Sequence, residues 1–398
     1  MDYVCGMSRL KLAIVGLASC TPATLGQYAL HELALPPGAT DTVVTAIDAD
    51  GAVVGSALLP TGRMAVRWAS FESPAELLGA LDGGTTSEAT SIASGLVVGV
   101  SERGCGQPGA FLWTSGGGLV AIGPATCEPV STVSINGVGQ VLLQVGVPAL
   151  PVVWPLGVGD PRPLETWGQP ASVFRVEDDG AVLGTSEHHP EGLGRARAIE
   201  WPAAGPGRLL GRLDPDAVGI DAAADRQDSG LIVGSARVGS ITRAAVWDAA
   251  GEPTDVGVAL GTTVSSRLNR VNNDGVAVGG SSVGAIFWDS ANGVRHLVDL
   301  VDESGDGWQL LVGQDVNDAG TIVGNGVNPA GRPRGFVLTL GGVTCPADLD
   351  GDGELTIFDF LAFQNLFDAG DPGADLDGDG SLTIFDFLAF QNLFDAGC

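Results

Sequence analysis

The sequence predicts a mostly β protein: a ring of about seven short-stranded units, followed by a small α-helical module. Three observations carry that expectation. A turn-and-strand motif returns about every 45 residues along most of the 398-residue chain. Gly contributes 61 residues, and charged side chains are only 17% against 44% hydrophobic, which suits a packed, turn-rich β protein and not a disordered chain. The final 54 residues break the pattern: they are acidic, and residues 355–370 recur letter for letter at 382–397.

Each repeat opens with a tight turn and a small-apolar strand. Asp48-Ala49-Asp50-Gly51 precedes Ala52-Val53-Val54-Gly55, and Ser94-Gly95 precedes Leu96-Val97-Val98-Gly99. Turns ending at Gly180, Gly230, Gly275 and Gly320 lead into strands that end at Gly184, Gly234, Gly279 and Gly324. The third copy, Asn136 to Gly139 with Gln140 to Leu143, departs, and Gln144 is expected where the others have that second glycine. An apolar strand ending in Trp68, Trp113, Trp154, Trp201, Trp247 or Trp288 follows in the first six copies; the seventh has Phe336-Val337-Leu338. Another short strand comes next, as at Leu119 to Gly123. Asn and Gly tolerate the positive φ of tight turns, so each unit reads as about four strands joined by hairpins.

Seven such units predict a seven-bladed β-propeller over residues 26–342. The last copy is one strand short, and residues 28–35 match the missing outer strand and are expected to close the ring. The same residues resemble the HAF-type extracellular repeat; Phe111-Leu112-Trp113-Thr114 and the run from Val271-Asn272 to Gly279 carry the likeness. The resemblance implies an exported, propeller-like protein and no known chemistry.

The net charge of −28 makes nucleic acid and anionic membrane surfaces poor partners. Twelve of the acidic residues lie in 345–398, which has no Lys or Arg. At the other end, Arg9 and Lys11 lead into the apolar run 12–18, an export signal over residues 1–23. Two processing outcomes stay open: cleavage near Ala23, or lipidation of Cys20, because Leu17-Ala18-Ser19-Cys20 resembles a bacterial lipobox. Both place the protein outside the cell or on its surface, and no stretch approaches a transmembrane span. Export makes the remaining cysteines disulfide candidates, paired as Cys105–Cys127 and Cys345–Cys398.

The strands that enter the turns are expected to line the propeller axis, bringing Asp48, Glu177, Asp178, Asp228 and Asp274 toward it. Paired carboxylates suit acid–base chemistry on a sugar, but turn chemistry already explains each of them. His188-His189, beside Pro190, reads as a solvated loop rather than a metal site. Trp167 and Trp308 lie outside the regular Trp positions, as candidates for stacking on a glycan or for core packing. No catalytic residue is assigned.

The acidic end carries metal-ligand spacing. Asp348, Asp350, Asp352, Glu354 and Asp359 fall at positions 1, 3, 5, 7 and 12 of a twelve-residue calcium loop, with Gly353 at the sharp turn. Asp375, Asp377, Asp379, Ser381 and Asp386 repeat the set, so two Ca2+ ions are expected. Like charges about 4 Å apart cost roughly 4 kcal/mol at an effective dielectric near 20, so folding should need the metal. Asp at position 12, where EF-hands have Glu, and Cys345-Pro346 directly upstream are what dockerin domains show, and residues 345–398 resemble one. The resemblance implies docking to a cohesin-like or cell-surface protein, with Ile357, Phe358, Ile384 and Phe385 in contact. The sequence thus reads as an exported, non-catalytic binding propeller on a calcium-dependent tether. The alternative is a polysaccharide-active enzyme delivered the same way.

Overall fold

The structure is a computed structural model that describes residues 28–157, 159–165, 171–187, 195–340, 347, 349, 355–376 and 380–396. The expected export signal, His188-His189, Trp167, Cys345, Cys398 and six of the ten calcium ligands lie outside these residues.

The first repeat shows the common plan. Asp41–Ile47, Val53–Leu59, Gly62–Trp68 and Glu76–Gly79 pair consecutively and antiparallel. Each later repeat has the same order, beginning with Ser87–Ala93, Val130–Ile135, Ala171–Val176, Ala222–Arg226, Ser266–Val271 and Gln309–Val316. The last two four-strand sets are joined into one sheet by a single bridge, Gly280 to Val312. Hydrophobic side chains fill the space between neighbouring sheets: Val54 and Ala46 of the first repeat pack with Phe111 and Trp113 of the second. A similar cluster joins Val323 and Val337 to Val44 and Trp68, so the end of the chain of sheets packs on its beginning.

The fourth strand of the last repeat comes from the start of the described chain. Tyr28–Glu32 pairs antiparallel with Pro333–Leu340, Tyr28 opposite Leu340. The strand is shorter than the expected residues 28–35. Leu33 adds one more bond, to the Gly335 carbonyl, and then the Ala34 carbonyl turns away to accept from Trp68 Nε1 at 2.8 Å. Trp201 and Trp247 make the same bond to Glu165 and Gly211, which follow the fourth strands of the repeats before them. In these three repeats the tryptophan that ends the third strand clamps the outer strand of the preceding one, and Trp68 treats Tyr28–Glu32 as that strand.

The recurrent second glycine has a steric cause. In every repeat the first strand bulges against the second, at one place in the first six and at a second place as well in the seventh. A Cβ on Gly279 would lie 2.0 Å from the Arg267 carbonyl oxygen just before that bulge. The register also corrects the reading of the third repeat. Leu143, opposite Thr132, holds the glycine position, while Gln144 lies one residue further along. Cys105 and Cys127 form a disulfide, Cα atoms 6.5 Å apart, across the outer end of the second repeat.

Two helices follow, α1 at Ile357–Ala369 and α2 at Ile384–Ala396. Thr356 caps α1 and Asp359 returns a bond to the Thr356 N–H, completing a capping box, while Gly370 ends the helix in the left-handed region at φ 71°.

Gly279→Ala should destabilise the propeller by about 1–3 kcal/mol, since its methyl meets rigid backbone. Chemical denaturation measures it; an unchanged midpoint would show that the bulge relaxes freely.

Candidate functional site

The first strands end around one axial cavity of about 320 Å3. Its wall is built in layers, because each strand delivers the same three positions: the residue after the bulge, the last strand residue and the turn. Around the ring the after-bulge residues are Ala46, Ser91, Ser134, Arg175, Asp225, Arg270 and Asp315. Four of them bond to the backbone of the next repeat. Ser91 accepts from Ile135 N–H, Ser134 from Val176, Asp225 from Val271 and Asp315 from Ile47, at 2.9–3.3 Å.

The turn residues make a second ring. Asn317 Oδ1 accepts from Thr321 N–H at 3.0 Å, closing its own turn, while Nδ2 donates to the Asp48 carbonyl at 3.1 Å. Asn272 does the same between Val276 and Asn317, and Asn136 between Gln140 and Glu177. Asp48 reaches forward with its carboxylate, accepting from Ser94 and Gly95 N–H at 3.1 and 2.7 Å. Asp178 accepts from Gly137 N–H, and Asp318 from Asn273 N–H.

The wall is electrically lopsided. Repeats four to seven bring Arg175, Asp225, Arg270 and Asp315 in alternating sign. Arg175 Nε lies 2.6 Å from Asp225 and 3.6 Å from Glu177, and Arg270 Nε 3.7 Å from Asp315. Burial pushes the Glu177 carboxyl up from 4.5 to about 8, and Asp225 adds to this, while Arg175, Arg226 and Arg270 pull the other way. Burial likewise raises Asp315. Burial alone would lower Arg175, but Asp225 and Glu177 outweigh it and hold the guanidinium charged. Glu177 Oε1 accepts no hydrogen bond among the described residues.

Of the sequence candidates, Asp48, Glu177, Asp178 and Asp228 line the cavity, but Asp274 does not; it is exposed. Sequence reasoning missed Arg175, Arg226, Asp225 and Asp315, and the signal was available: they stand two residues before, or next to, the turn residue of their repeats. Trp308 packs edge-on against Phe336, 6.2 Å between centroids, and is only partly buried.

The helices form the other candidate. Phe363 stacks on Phe390 at 4.8 Å, and Phe360 meets Phe387 at 6.1 Å. In each pair the partners are equivalent in the duplication, so the two helices are related by a local pseudo-two-fold axis. Asp359 and Asp386 are fully buried. Asp359 accepts from Leu349 and Thr356 N–H at 2.9 and 2.7 Å, and Asp386 from Leu376 and Thr383 at 3.0 and 2.6 Å. Asp375 accepts from Gly380 N–H at 2.8 Å. Ile357, Phe358, Ile384 and Phe385 are all exposed. No helix among the described residues is long and apolar enough to cross a membrane.

No protein-family model matches the chain, and no curated protein matches it. Solved structures do. The chain is similar to a streptogramin B lyase structure, at a TM-score of 0.51 and 9% identity, over 79% of this chain and 98% of that one. YCF48 from Cyanidioschyzon merolae matches at 0.48 and 11% identity, over 78% of this chain and 98% of that one. TolB from Acinetobacter baumannii, of which this chain spans 62%, matches at 0.40 and 10% identity over 57% of this chain. The first likeness, with the sheet order above, makes the repeat region a β-propeller.

The Glu177 shift has a pH consequence. Between 4.5 and about 8 the folded carboxyl keeps a proton that the unfolded one releases, so this group costs stability as pH rises through that window. Glu177→Gln does not titrate. Its melting temperature relative to the parent should therefore rise from pH 5 to pH 8.5 in thermal scans. A difference that stays flat would show that Arg175 and Arg226 hold Glu177 ionised.

Proposed function

We propose that the chain is an exported, non-catalytic binding protein: a seven-bladed propeller that displays a ligand surface, tethered through a calcium-dependent, dockerin-like module at residues 345–398. The single observation that carries the tether is a duplicated apolar step. Ile357 and Phe358 are 62% and 64% exposed, and Ile384 and Phe385 64% and 63%. Large apolar side chains left in water at equivalent places on two helices suit a partner's surface, a cohesin-like or cell-surface protein on this reading. Seven consecutive four-strand sets support the blade number.

The donor set fits calcium. Asp359 and Asp386 are carboxylates buried in a segment without a single Lys or Arg, and burial of such charge needs a cation. Asp359 would close the first loop. Asp375, Ser381 and Asp386 would serve the second. Bound calcium would supply the positive charge that lets these oxygens converge.

A second reading, a polysaccharide-active enzyme, is favoured by one observation: the raised Glu177 carboxyl in the axial cavity. Acid–base chemistry needs a partner carboxylate free to act. Asp225 is held by Arg175 and by the Val271 N–H, and Asp315 by the Ile47 N–H. The bonds that would occupy a catalytic pair instead hold neighbouring sheets together, which favours the binding reading.

Native mass spectrometry should find two Ca2+ per chain, lost to a chelator; a mass that does not respond to calcium would end the metal assignment. With residues 345–398 as bait on native cell envelope, Ile357→Asp with Phe358→Asp should lower affinity about twofold, the statistical loss of one of two equivalent orientations. Ile384→Asp with Phe385→Asp should do the same, and all four changes should abolish capture. Capture lost entirely in one pair and intact in the other would disprove two-orientation binding.

A further inference from the structure

The two faces of the propeller differ. The chain enters it at Tyr28 and leaves it at Leu340, and these two residues are register partners. A Cβ on Gly320 would lie 2.9 Å from Leu340 Cδ1, so both connections are on the face that carries the turns. The opposite face is clear of them. There, between the sixth and seventh repeats, Gly280–Val312 is the one β-bridge among the described residues, Val278, Ala285 and Phe287 pack with Leu310, and a gap opens beside the bridge. The gap is a cleft of about 730 Å3, between the Ser281–Gly284 hairpin and the start of Gln309–Val316.

Six polar side chains line this cleft: Ser281 and Ser282, and the larger His296, Asp299, Trp308 and Gln309. None of the four larger ones makes a side-chain hydrogen bond or ion pair within the described residues, whereas the Ser281 hydroxyl donates to the Gly284 carbonyl at 2.8 Å. That contrasts with the axial cavity, where nearly every polar group is committed to a neighbouring repeat. A second cleft of about 370 Å3 adjoins it through Ser281, Ser282 and Leu311 and adds the exposed Ser265 hydroxyl, beside Thr242 and Ser266, whose hydroxyls accept from Arg237 and from the Ala244 N–H. Together they make a groove with an indole in its wall, planar hydrogen-bonding groups beside it and a run of hydroxyls beyond.

We propose that this groove binds a neutral oligosaccharide of a few sugar rings. The indole offers a flat apolar surface to the C–H face of a pyranose. His, Asp and Gln present the paired donors and acceptors that adjacent hydroxyls need. The volume lies in the range of sites that enclose small ligands. One acidic group, Asp299, and one basic group, Arg267 in the smaller cleft, leave no charge excess to select an ion. An extended peptide would need a free strand edge. The hairpin wall offers none, because Ser281 already pairs with Ser266 on one side and Gly284 on the other.

The proposal deepens the reading of the propeller as a binding domain and names where it binds. It is tested on the full chain with calcium, by calorimetric titration with linear glucan, xylan, mannan and galactan oligosaccharides. One of the four should bind, without release of new reducing ends. Asp299→Ala with Gln309→Ala should weaken it at least about tenfold, the loss expected when hydrogen bonds to the ligand are removed. Both side chains are exposed and make no bonds in the fold, so an unchanged melting temperature is expected alongside. Asp228→Ala, in the axial cavity, should leave the affinity as it was. Failure of all four sugars to bind, affinity unchanged in the double variant, or binding of an extended peptide in their place would each overturn the proposal. Partner capture through 345–398 is read in the same double variant. Capture retained while sugar binding fails overturns the groove alone, and sugar binding retained while calcium-dependent capture fails overturns the tether alone.

Discussion

Asn317 joins the last repeat to the first across 269 positions of sequence, and the whole ring depends on bonds of that kind. One side chain performs two tasks. Its carbonyl closes its own turn, and its amide donates to the backbone of the next repeat. The same division of labour recurs at Asn136 and Asn272. Where the residue is Asp48, with no N–H to give, the polarity reverses and the carboxylate accepts from the next turn. A ring of sheets stays closed only if every neighbour pair is joined, so each of these bonds supports all the others. They also decide what the axis can do, since groups spent on holding sheets together are not free to hold a substrate.

The after-bulge layer shows the cost of that arrangement. In repeats two and three the position is Ser, which bonds the next backbone at little desolvation cost. In repeats five and seven it is Asp, and a buried carboxylate needs a cation beside it. Arg175 and Arg270 occupy the same position in repeats four and six, so the alternation of sign runs through the sequence at the repeat spacing. Glu177 is the group left over. It sits one layer nearer the turns, shares Arg175 with Asp225, and burial keeps its carboxyl protonated well above the ordinary range.

The repeat period, the tryptophan strands and the outer strand supplied from Tyr28 onward were all legible in the sequence, because backbone geometry dictates them. The turns favour Asx and Gly, the bulge faces a glycine in six of the seven repeats, and in three repeats the third strand ends in a tryptophan that reaches the preceding sheet. The third repeat was read one residue out of place, since Leu143 fills a position that sterics reserve for glycine elsewhere and nothing local announces the exchange. The alternating charges were missed for a different reason. Each is an isolated Arg or Asp in its own repeat, and only the ring brings residues about 45 positions apart within ion-pairing distance. The cleft beside Trp308 was less legible still. It lies where two sheets share a single β-bridge, which is a fact of packing, and the sequence marks it only by an indole outside the regular positions.

The two helices invert the logic of the ring. The propeller's repeats have diverged, so that each makes different bonds to its neighbour, whereas the second helical half copies the first without a change from residue 355 to 370. Identity on that scale keeps paired surfaces paired: Phe363 can stack on Phe390 at the axis only if both halves present the same face. It also forces the exposed residues to be identical, and Ile357 with Phe358 stands as far out in water as Ile384 with Phe385. Equal exposure in both halves means that neither pair is recruited into the helical core, which is what the docking role proposed for them requires.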